Sequence, residues 1–127
     1  MKETYKSYLK EISAFIPRER IYTDEMRRLA WGTDASFYRL VPQIVVRWKT
    51  EEEVSRLLSA ARRRRLPVTF RAAGTSLSGQ SLSDSILIVA GKNWENYKIS
   101  ADAETITMQP GIIGERVNQL LLSLIHI

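Results

Sequence analysis

The stretch Arg71-Ala72-Ala73-Gly74-Thr75-Ser76-Leu77-Ser78-Gly79-Gln80-Ser81 constrains this chain more than any other. It follows a short β-type run, Pro67-Val68-Thr69-Phe70, and precedes a second, Ile86-Leu87-Ile88-Val89-Ala90. It holds two glycines, four hydroxyl side chains and one amide side chain, and no acid. Glycine lets the backbone turn at positive φ and approach a ligand closely. Successive N–H groups then form a nest for an anion. The hydroxyls and Gln80 add donors without opposing charge. The combination suits a phosphate, although a polar surface loop between two strands has a similar composition. Two common nucleotide motifs are excluded. A P-loop needs Lys-Ser/Thr directly after its second glycine, where Gln80 stands, and a G-x-G-x-x-G fingerprint must open a helix, whereas no helical pattern follows Gly79.

The flanking sequence predicts the frame that carries this loop. Gln43 to Trp48 is apolar and β-branched in its middle and reads as a buried strand. Thr50 and Glu53 form a capping box, and Val54, Leu57, Leu58 and Ala61 make the core stripe of the helix that follows. Leu66-Pro67 stops that helix, and Val68–Arg71 is the next strand. Strand, helix and strand in this short span predict a βαβ unit with parallel strands. The loop leaves the carboxyl end of the second strand, where α/β ligand sites lie. Asp84 is the one acid in the continuation of the loop and suits a turn hydrogen bond. Ile86 to Ala90 is apolar throughout, as a central strand would be.

Beyond it, Gly91-Lys92-Asn93 is a turn. The alternating runs Asn96–Ser100 and Thr105–Met108 predict a hairpin, with Ile106 and Met108 toward the core. Pro110-Gly111 ends the second run, and a helix from Gly114 presents Val117, Leu120 and Leu121 on one face. Ahead of the frame, residues 1–16 predict a helix with a stripe of Tyr5, Leu9, Ile12 and Ile16, widened by Tyr8 and Phe15 and ended by Pro17. This stripe suits docking onto the domain better than lying on a membrane, because Glu3 and Glu11 interrupt the basic content. Thr23 is placed to cap a short helix from Asp24 to Ala30, with Gly32 as its stop. Residues 31–41 read as irregular structure.

Composition limits the function classes. A chain of 127 residues with 44% apolar and 26% charged residues is ordinary for one globular domain. There is no cysteine, hence no disulfide and no thiolate metal site in these residues. No apolar run approaches the ~20 residues of a membrane-spanning helix. Met1 to Lys6 lacks the apolar core of a secretion signal, which points to a cytoplasmic protein, with attachment to the inner membrane surface left open. The net charge is +5, and Arg62 to Arg65 are consecutive. At a helix C-terminus such cations complement the dipole. As a nucleic-acid patch they would need neighbouring exposed aromatics or a recognition helix, so no nucleic-acid partner is expected; a nucleic-acid-binding module using Arg62–Arg65, or a non-catalytic interaction domain, stands as the alternative reading.

From Pro42 to about Leu121 the chain resembles the FAD-binding domain of the vanillyl-alcohol oxidase, or PCMH-type, flavoproteins. Pro42-Gln43-Ile44-Val45-Val46-Arg47 looks like the family's first strand, Thr50-Glu51-Glu52-Glu53-Val54 like the start of its first helix, Gly74-Thr75-Ser76-Leu77-Ser78-Gly79-Gln80 like its pyrophosphate loop, and Gln109-Pro110-Gly111 like a later turn near the cofactor. The run Ser-Leu-Ser-Gly-Gln favours the D-lactate and D-2-hydroxyacid dehydrogenase branch, which includes the GlcD-like FAD-linked oxidases. A reductase of peptidoglycan precursor synthesis, the UDP-N-acetylenolpyruvoylglucosamine reductase, also holds FAD in this way.

The resemblance implies an α+β fold: a PCMH-type FAD-binding domain with a βαβ unit and then mixed and antiparallel strands, preceded by N-terminal helices and truncated. It implies that Arg71, Ala72, Ala73, Gly74, Thr75, Ser76, Leu77, Ser78, Gly79 and Gln80, with Pro110 and Gly111, line the FAD. Arg71 either contacts the phosphates or pairs with an acid across the sheet. Pro110-Gly111 either passes the adenine side of FAD or is an ordinary strand-to-helix turn. Ala72 and Ala73 stand where the family often has glycines. Thr75 stands where covalent members carry a histidine, so the resemblance implies non-covalent FAD. An Asp-Ala-Ser segment like Asp34-Ala35-Ser36 leads into the FAD domain in similar enzymes, near the cofactor or the substrate domain.

In the parent reaction that the resemblance implies, a D-2-hydroxyacid such as D-lactate, glycolate or D-2-hydroxyglutarate delivers a hydride to the flavin N5 while a protein base takes the hydroxyl proton. This chain offers neither a catalytic base nor a recognisable metal set, so the catalytic groups, the substrate cap and any iron–sulfur clusters are expected downstream, and the isolated chain is expected to be inert. The last six residues, Leu122-Ser123-Leu124-Ile125-His126-Ile127, match the in-frame translation of the adaptor CTG TCT CTT ATA CAC ATC. The expected division is therefore an N-terminal helical extension over 1–40, a partial FAD-binding domain over 41–121 and a non-native tail over 122–127, and the single histidine, His126, is set aside as a catalyst.

Overall fold

The elements run α1 (Glu3–Ile12), β1 (Ile21–Tyr22), α2 (Glu25–Ala30), β2 (Ile44–Trp48), α3 (Glu51–Arg63), β3 (Val68–Arg71), β4 (Ile86–Ala90), β5 (Tyr97–Ile99), β6 (Ile106–Met108) and α4 (Gly114–Ile125), in a computed structural model that describes residues 1–125. The chain divides into two units, Met1–Ala90 and Gly91–Ile127. His126 and Ile127, the end of the expected tail, lie outside the described residues.

The first unit is built on a four-stranded sheet in the order β1-β2-β4-β3. β2 and β3 both run parallel to β4, and β1 runs antiparallel to β2. Ile86 of β4 sits opposite Ile44 on one side and Val68 on the other. The βαβ unit therefore forms with its two strands parallel but not adjacent, because β4 inserts between them. The reason is visible in β4 itself: Ile86, Leu87 and Ile88 are fully buried, and a run that is apolar on both faces is best placed with a ladder on both edges. Val45, Leu87 and Val89 form a buried cluster against which Tyr22 and Trp31 pack. Ile44, Val46, Ile86 and Ile88, also buried, take the opposite face of the pleat.

The helices form where expected, with shifted edges. α1 stops at Ile12 rather than continuing to Ile16: the N–H groups of Ala14 and Phe15 donate to carbonyls three residues back, at 3.2 and 3.1 Å, so the chain tightens into turns before Pro17. Ile16 is nonetheless buried, and its N–H donates to the Ile12 carbonyl at 2.8 Å. Tyr8, expected at the edge of the stripe, is fully buried, and its hydroxyl donates to the Leu57 carbonyl at 3.3 Å. Tyr5 donates to Ser85 Oγ at 2.9 Å, so α1 docks onto the domain. Asp24, not Thr23, caps α2, accepting from the Arg27 N–H at 3.1 Å. Gly32 follows α2, but it serves close packing: a Cβ there would stand 3.1 Å from the Leu29 carbonyl oxygen and 3.3 Å from that of Leu40.

α3 begins as its sequence dictates, with the Glu53 N–H donating to Thr50 Oγ1 at 3.1 Å. The Glu53 carboxylate accepts from the Lys49 N–H at 2.7 Å and forms a two-bond pair with Arg20 at 2.7 and 2.8 Å. The buried face is Leu57, Ala60 and Ala61, whereas Leu58 is 38% exposed. The helix ends before Leu66-Pro67. Arg65 takes the left-handed conformation at φ 54°, with Arg65 N–H to Arg62 carbonyl and Leu66 N–H to Ala61 carbonyl bonds of 3.0 Å each, a Schellman motif with arginine in the usual glycine place. The arginine run is largely structural: Arg63 and Arg64 both pair with Glu11 of α1, the latter at 2.5 Å, and Arg64 also reaches Ser7.

In the second unit β5 and β6 form the expected antiparallel hairpin, Tyr97 opposite Met108 and Ile99 opposite Ile106. Met108 was expected to face the core but is 42% exposed, because this unit has only two three-residue strands and too little sheet to bury both positions. Val117 of α4 is buried.

Candidate functional site

The loop after β3 is long for a physical reason. β3 and β4 are parallel, so the chain must return from the carboxyl end of one to the amino end of the other, and here it does so without a helix over residues 72–85. Its far end is anchored: Ser81, Leu82, Ser83 and Ser85 are buried, with the Ser85 N–H bonded to Ser83 Oγ at 3.0 Å. That serine makes the turn bond that the sequence suggested for Asp84, which is exposed.

The near end is open and shaped by its glycines. Gly74 has φ 71° and Gly79 φ 79°, the left-handed region that side chains resist. Ser76 Oγ accepts from the Ser78 N–H at 3.3 Å and the Gln80 N–H at 3.1 Å, folding the backbone inward around one hydroxyl. Ala72, Ala73, Thr75, Leu77, Ser78 and Gln80 are exposed, and Gly74, Ser76 and Gly79 half-buried. Ala72 and Ala73 do not have positive φ, so a methyl group is sterically admissible where the family often has glycine.

Arg71 neither projects from the loop nor pairs with an acid among the described residues. Its Nη1 donates to the Thr33 carbonyl at 2.8 Å and the Trp31 carbonyl at 3.4 Å, and its guanidinium lies 5.1 Å from the centre of the Trp31 ring. A Cβ on Gly74 would overlap that guanidinium, 2.5 Å from Cζ. Burial lowers the Arg71 pKa below the ordinary guanidinium value, while the nearby Asp34 charge acts in the opposite sense.

The 31–40 segment, read from sequence as irregular, closes over the loop. Asp34 accepts from the Ser36 N–H at 2.8 Å and from Ser81 Oγ at 3.1 Å. Hydrogen bonding from Ser36, then Ser81 and the Arg71 charge, holds its carboxyl below the usual range despite some desolvation. The Tyr38 ring flanks Gly79, so that a Cβ there would lie 3.1 Å from Cδ2. Tyr38, Arg39, Leu40, Ser78, Gly79 and Leu82 line a cavity of about 330 Å³. A larger cleft of about 490 Å³, between Leu9, Ile16, Arg18 and Arg27, shares no residue with the loop. The Asp-x-Ser turn signal of Asp34 and Ser36 is legible in sequence; the Tyr38 contact with Gly79 is not.

Pro110 and Gly111 belong to the second unit. The Gly111 N–H donates to the Trp94 carbonyl at 2.7 Å, and a Cβ on Gly111 would come within 2.6 Å of that oxygen and 2.8 Å of the Gly91 carbonyl oxygen. Glycine is thus required by backbone packing at this turn. No cluster of three metal-ligating side chains occurs among the described residues.

The open end of the loop fits an FAD pyrophosphate: positive-φ glycines, exposed amide and hydroxyl donors, and no carboxylate on residues 71–83. D-2-hydroxyglutarate dehydrogenase of Pseudomonas putida is 27% identical over 121 residues, covering 92% of this chain and 12% of that protein. The glycolate oxidase subunit GlcD of Escherichia coli K12 is 34% identical over 104 residues, 80% of this chain and 21% of that protein. The chain thus spans about a fifth or less of these relatives. An alkyldihydroxyacetonephosphate synthase structure superposes with a TM-score of 0.76 at 18% identity, over 94% of this chain and 25% of that one. The fold is the α+β, PCMH-type FAD-binding fold. The family profile described as FAD binding domain matches residues 42–123. The chain belongs to this family of FAD-binding domains, which serve FAD-linked oxidoreductases.

Proposed function

We propose that residues 71–80 hold the pyrophosphate of a non-covalent FAD in an oxidoreductase that oxidises a D-2-hydroxyacid, and that Pro110 and Gly111 pass close to the same cofactor. The carrying observation is the open loop at the carboxyl end of β3, where Gly74 and Gly79 take positive φ and Thr75, Ser78 and Gln80 present donors to solvent. Thr75 offers a hydroxyl and no imidazole, so it leaves the flavin unattached. When bound, FAD supplies the hydride acceptor. This chain's own residues bind and orient it through backbone N–H groups, and keep like charge away from the phosphates. The similarity to GlcD and D-2-hydroxyglutarate dehydrogenase supports a hydroxyacid substrate. The chain spans about a fifth or less of these relatives, and none of its described residues is assigned as the base, the substrate pocket or the electron-acceptor site.

Release of flavin by denaturation from the purified full-length protein that carries this segment tests the reading. We expect stoichiometric FAD in the wild type and little or none in Gly79→Asp, which combines left-handed strain with a carboxylate beside the phosphates. Full retention in that variant would overturn the pyrophosphate site. In the full-length protein that carries this segment, anaerobic bleaching of the bound flavin by D-lactate, glycolate or D-2-hydroxyglutarate tests the substrate class; bleaching by none of them there would remove it, whereas the isolated 127-residue chain is expected to bleach with none.

A further inference from the structure

We propose that the segment 31–40, which precedes the matched FAD-binding segment 42–123, is a clamp that sets the shape of the cofactor loop, with Asp34 and Arg71 as its positioning residues. The inference rests on the reading of residues 71–80 as the FAD loop. Three contacts at three points along the loop carry it. At its start, Arg71 turns away from the exposed side and donates to the carbonyls of Thr33 and Trp31, while its guanidinium fills the space beside Gly74. At its end, Ser81 donates to Asp34 Oδ2 at 3.1 Å across 47 residues of sequence. Between them, the Tyr38 ring lies against Gly79, the second positive-φ residue. Asp34 is itself fixed by the Ser36 N–H at 2.8 Å.

Each contact limits a different freedom. The guanidinium, half-buried and without a partner for its buried Nε, holds Gly74 only while the carbonyls of 31 and 33 stay in place. The Ser81–Asp34 bond fixes where the loop turns back toward β4. A loop whose N–H groups must converge on phosphate loses affinity when either end loosens, since the ordering cost then falls on binding. Ser76 Oγ, already bonded to the N–H groups of Ser78 and Gln80, shapes the loop from within; the clamp shapes it from outside.

The test compares FAD dissociation constants and the visible circular dichroism of bound flavin, in the purified FAD-loaded full-length protein that carries this segment, for wild type, Asp34→Ala, Asp34→Asn and Tyr38→Ala. The alanine variant at 34 removes the acceptor and is expected to weaken FAD about tenfold and alter the flavin signal, while the unfolding midpoint stays near that of the wild type. The asparagine variant keeps an acceptor for Ser36 and a hydrogen-bonding group for Ser81 and is expected to restore both readouts. Tyr38→Ala is expected to weaken FAD without changing the fold. Equal affinity and an unchanged signal in Asp34→Ala and Tyr38→Ala, with wild type holding FAD, would overturn the clamp and leave the loop assignment standing. Failure of wild type to hold FAD would instead remove the loop assignment. An asparagine variant as weak as alanine would overturn the positioning role, because charge and not geometry would then be at work.

Discussion

Arg65 and Glu53 show how single residues tune the frame around the loop. Arg65 sits at φ 54° in the Schellman turn that ends α3, and a side chain in the left-handed region carries a steric cost that glycine does not. Arg65→Gly should therefore stabilise the fold by about 0.5–1 kcal/mol, read as a higher urea midpoint at unchanged slope. Glu53 receives Arg20, the Lys49 N–H and the Thr50 cap geometry together, and its side chain is 17% exposed. The Arg20 bond chiefly holds its pKa below the ordinary 4.5, against a smaller desolvation effect. Its folded value thus lies below its unfolded one. The stabilisation is complete above pH 4.5 and is lost as pH falls through the lower folded value. Glu53→Gln should cost about 1–2 kcal/mol at neutral pH, allowing for solvent screening. It should also flatten the acid limb of a stability–pH profile measured by chemical denaturation. The Thr50 and Glu53 caps were legible because their partners are three or four residues away. The left-handed Arg65 was not, because nothing in an arginine run marks one member for that conformation.

At the scale of elements, α1 and α3 show what periodicity conveys and where it stops. Both helices are recognisable from their stripes, yet the stripe on α3 includes Leu58, which is 38% exposed, and omits Ala60, which is fully buried. A helix face is defined by its neighbour as well as by its own residues: α1 lies against α3, and an alanine allows a closer approach than a leucine. Tyr8 is the main anchor of that contact, fully buried with its hydroxyl on the Leu57 carbonyl. Burial pushes its phenol pKa above the usual range. Tyr8→Phe should cost only about 0.5–1 kcal/mol, because it removes one long hydrogen bond and no packing. Tyr8→Ala should cost about 3–5 kcal/mol, the range for emptying a buried aromatic site. Thermal or urea unfolding of the two variants separates packing from hydrogen bonding. On β6, Met108 was placed inward by alternation alone, and alternation fixes which residues share a face without fixing whether that face is covered.

For the whole molecule, the sequence by itself determined the local pieces: β2, β3 and β4 as strands, the cap of α3, the hairpin, and the loop whose two glycines take the positive φ that glycine permits. It also determined the chemistry of that loop, because donors without acids are a matter of composition. The resemblance to FAD-binding domains followed from these pieces in order, and the match over residues 42–123 agrees with it. Only the tertiary structure decided that β4 enters between β2 and β3, that Arg71 turns inward to the carbonyls of Trp31 and Thr33, and that Asp34 and Tyr38 reach the loop. Caps, turns and stripes act over a few residues and leave their mark in neighbouring letters. Strand order and the 31–40 contacts join residues tens of positions apart, and they are selected by which burial of apolar β4 and which satisfaction of buried polar groups the closed chain can achieve at once.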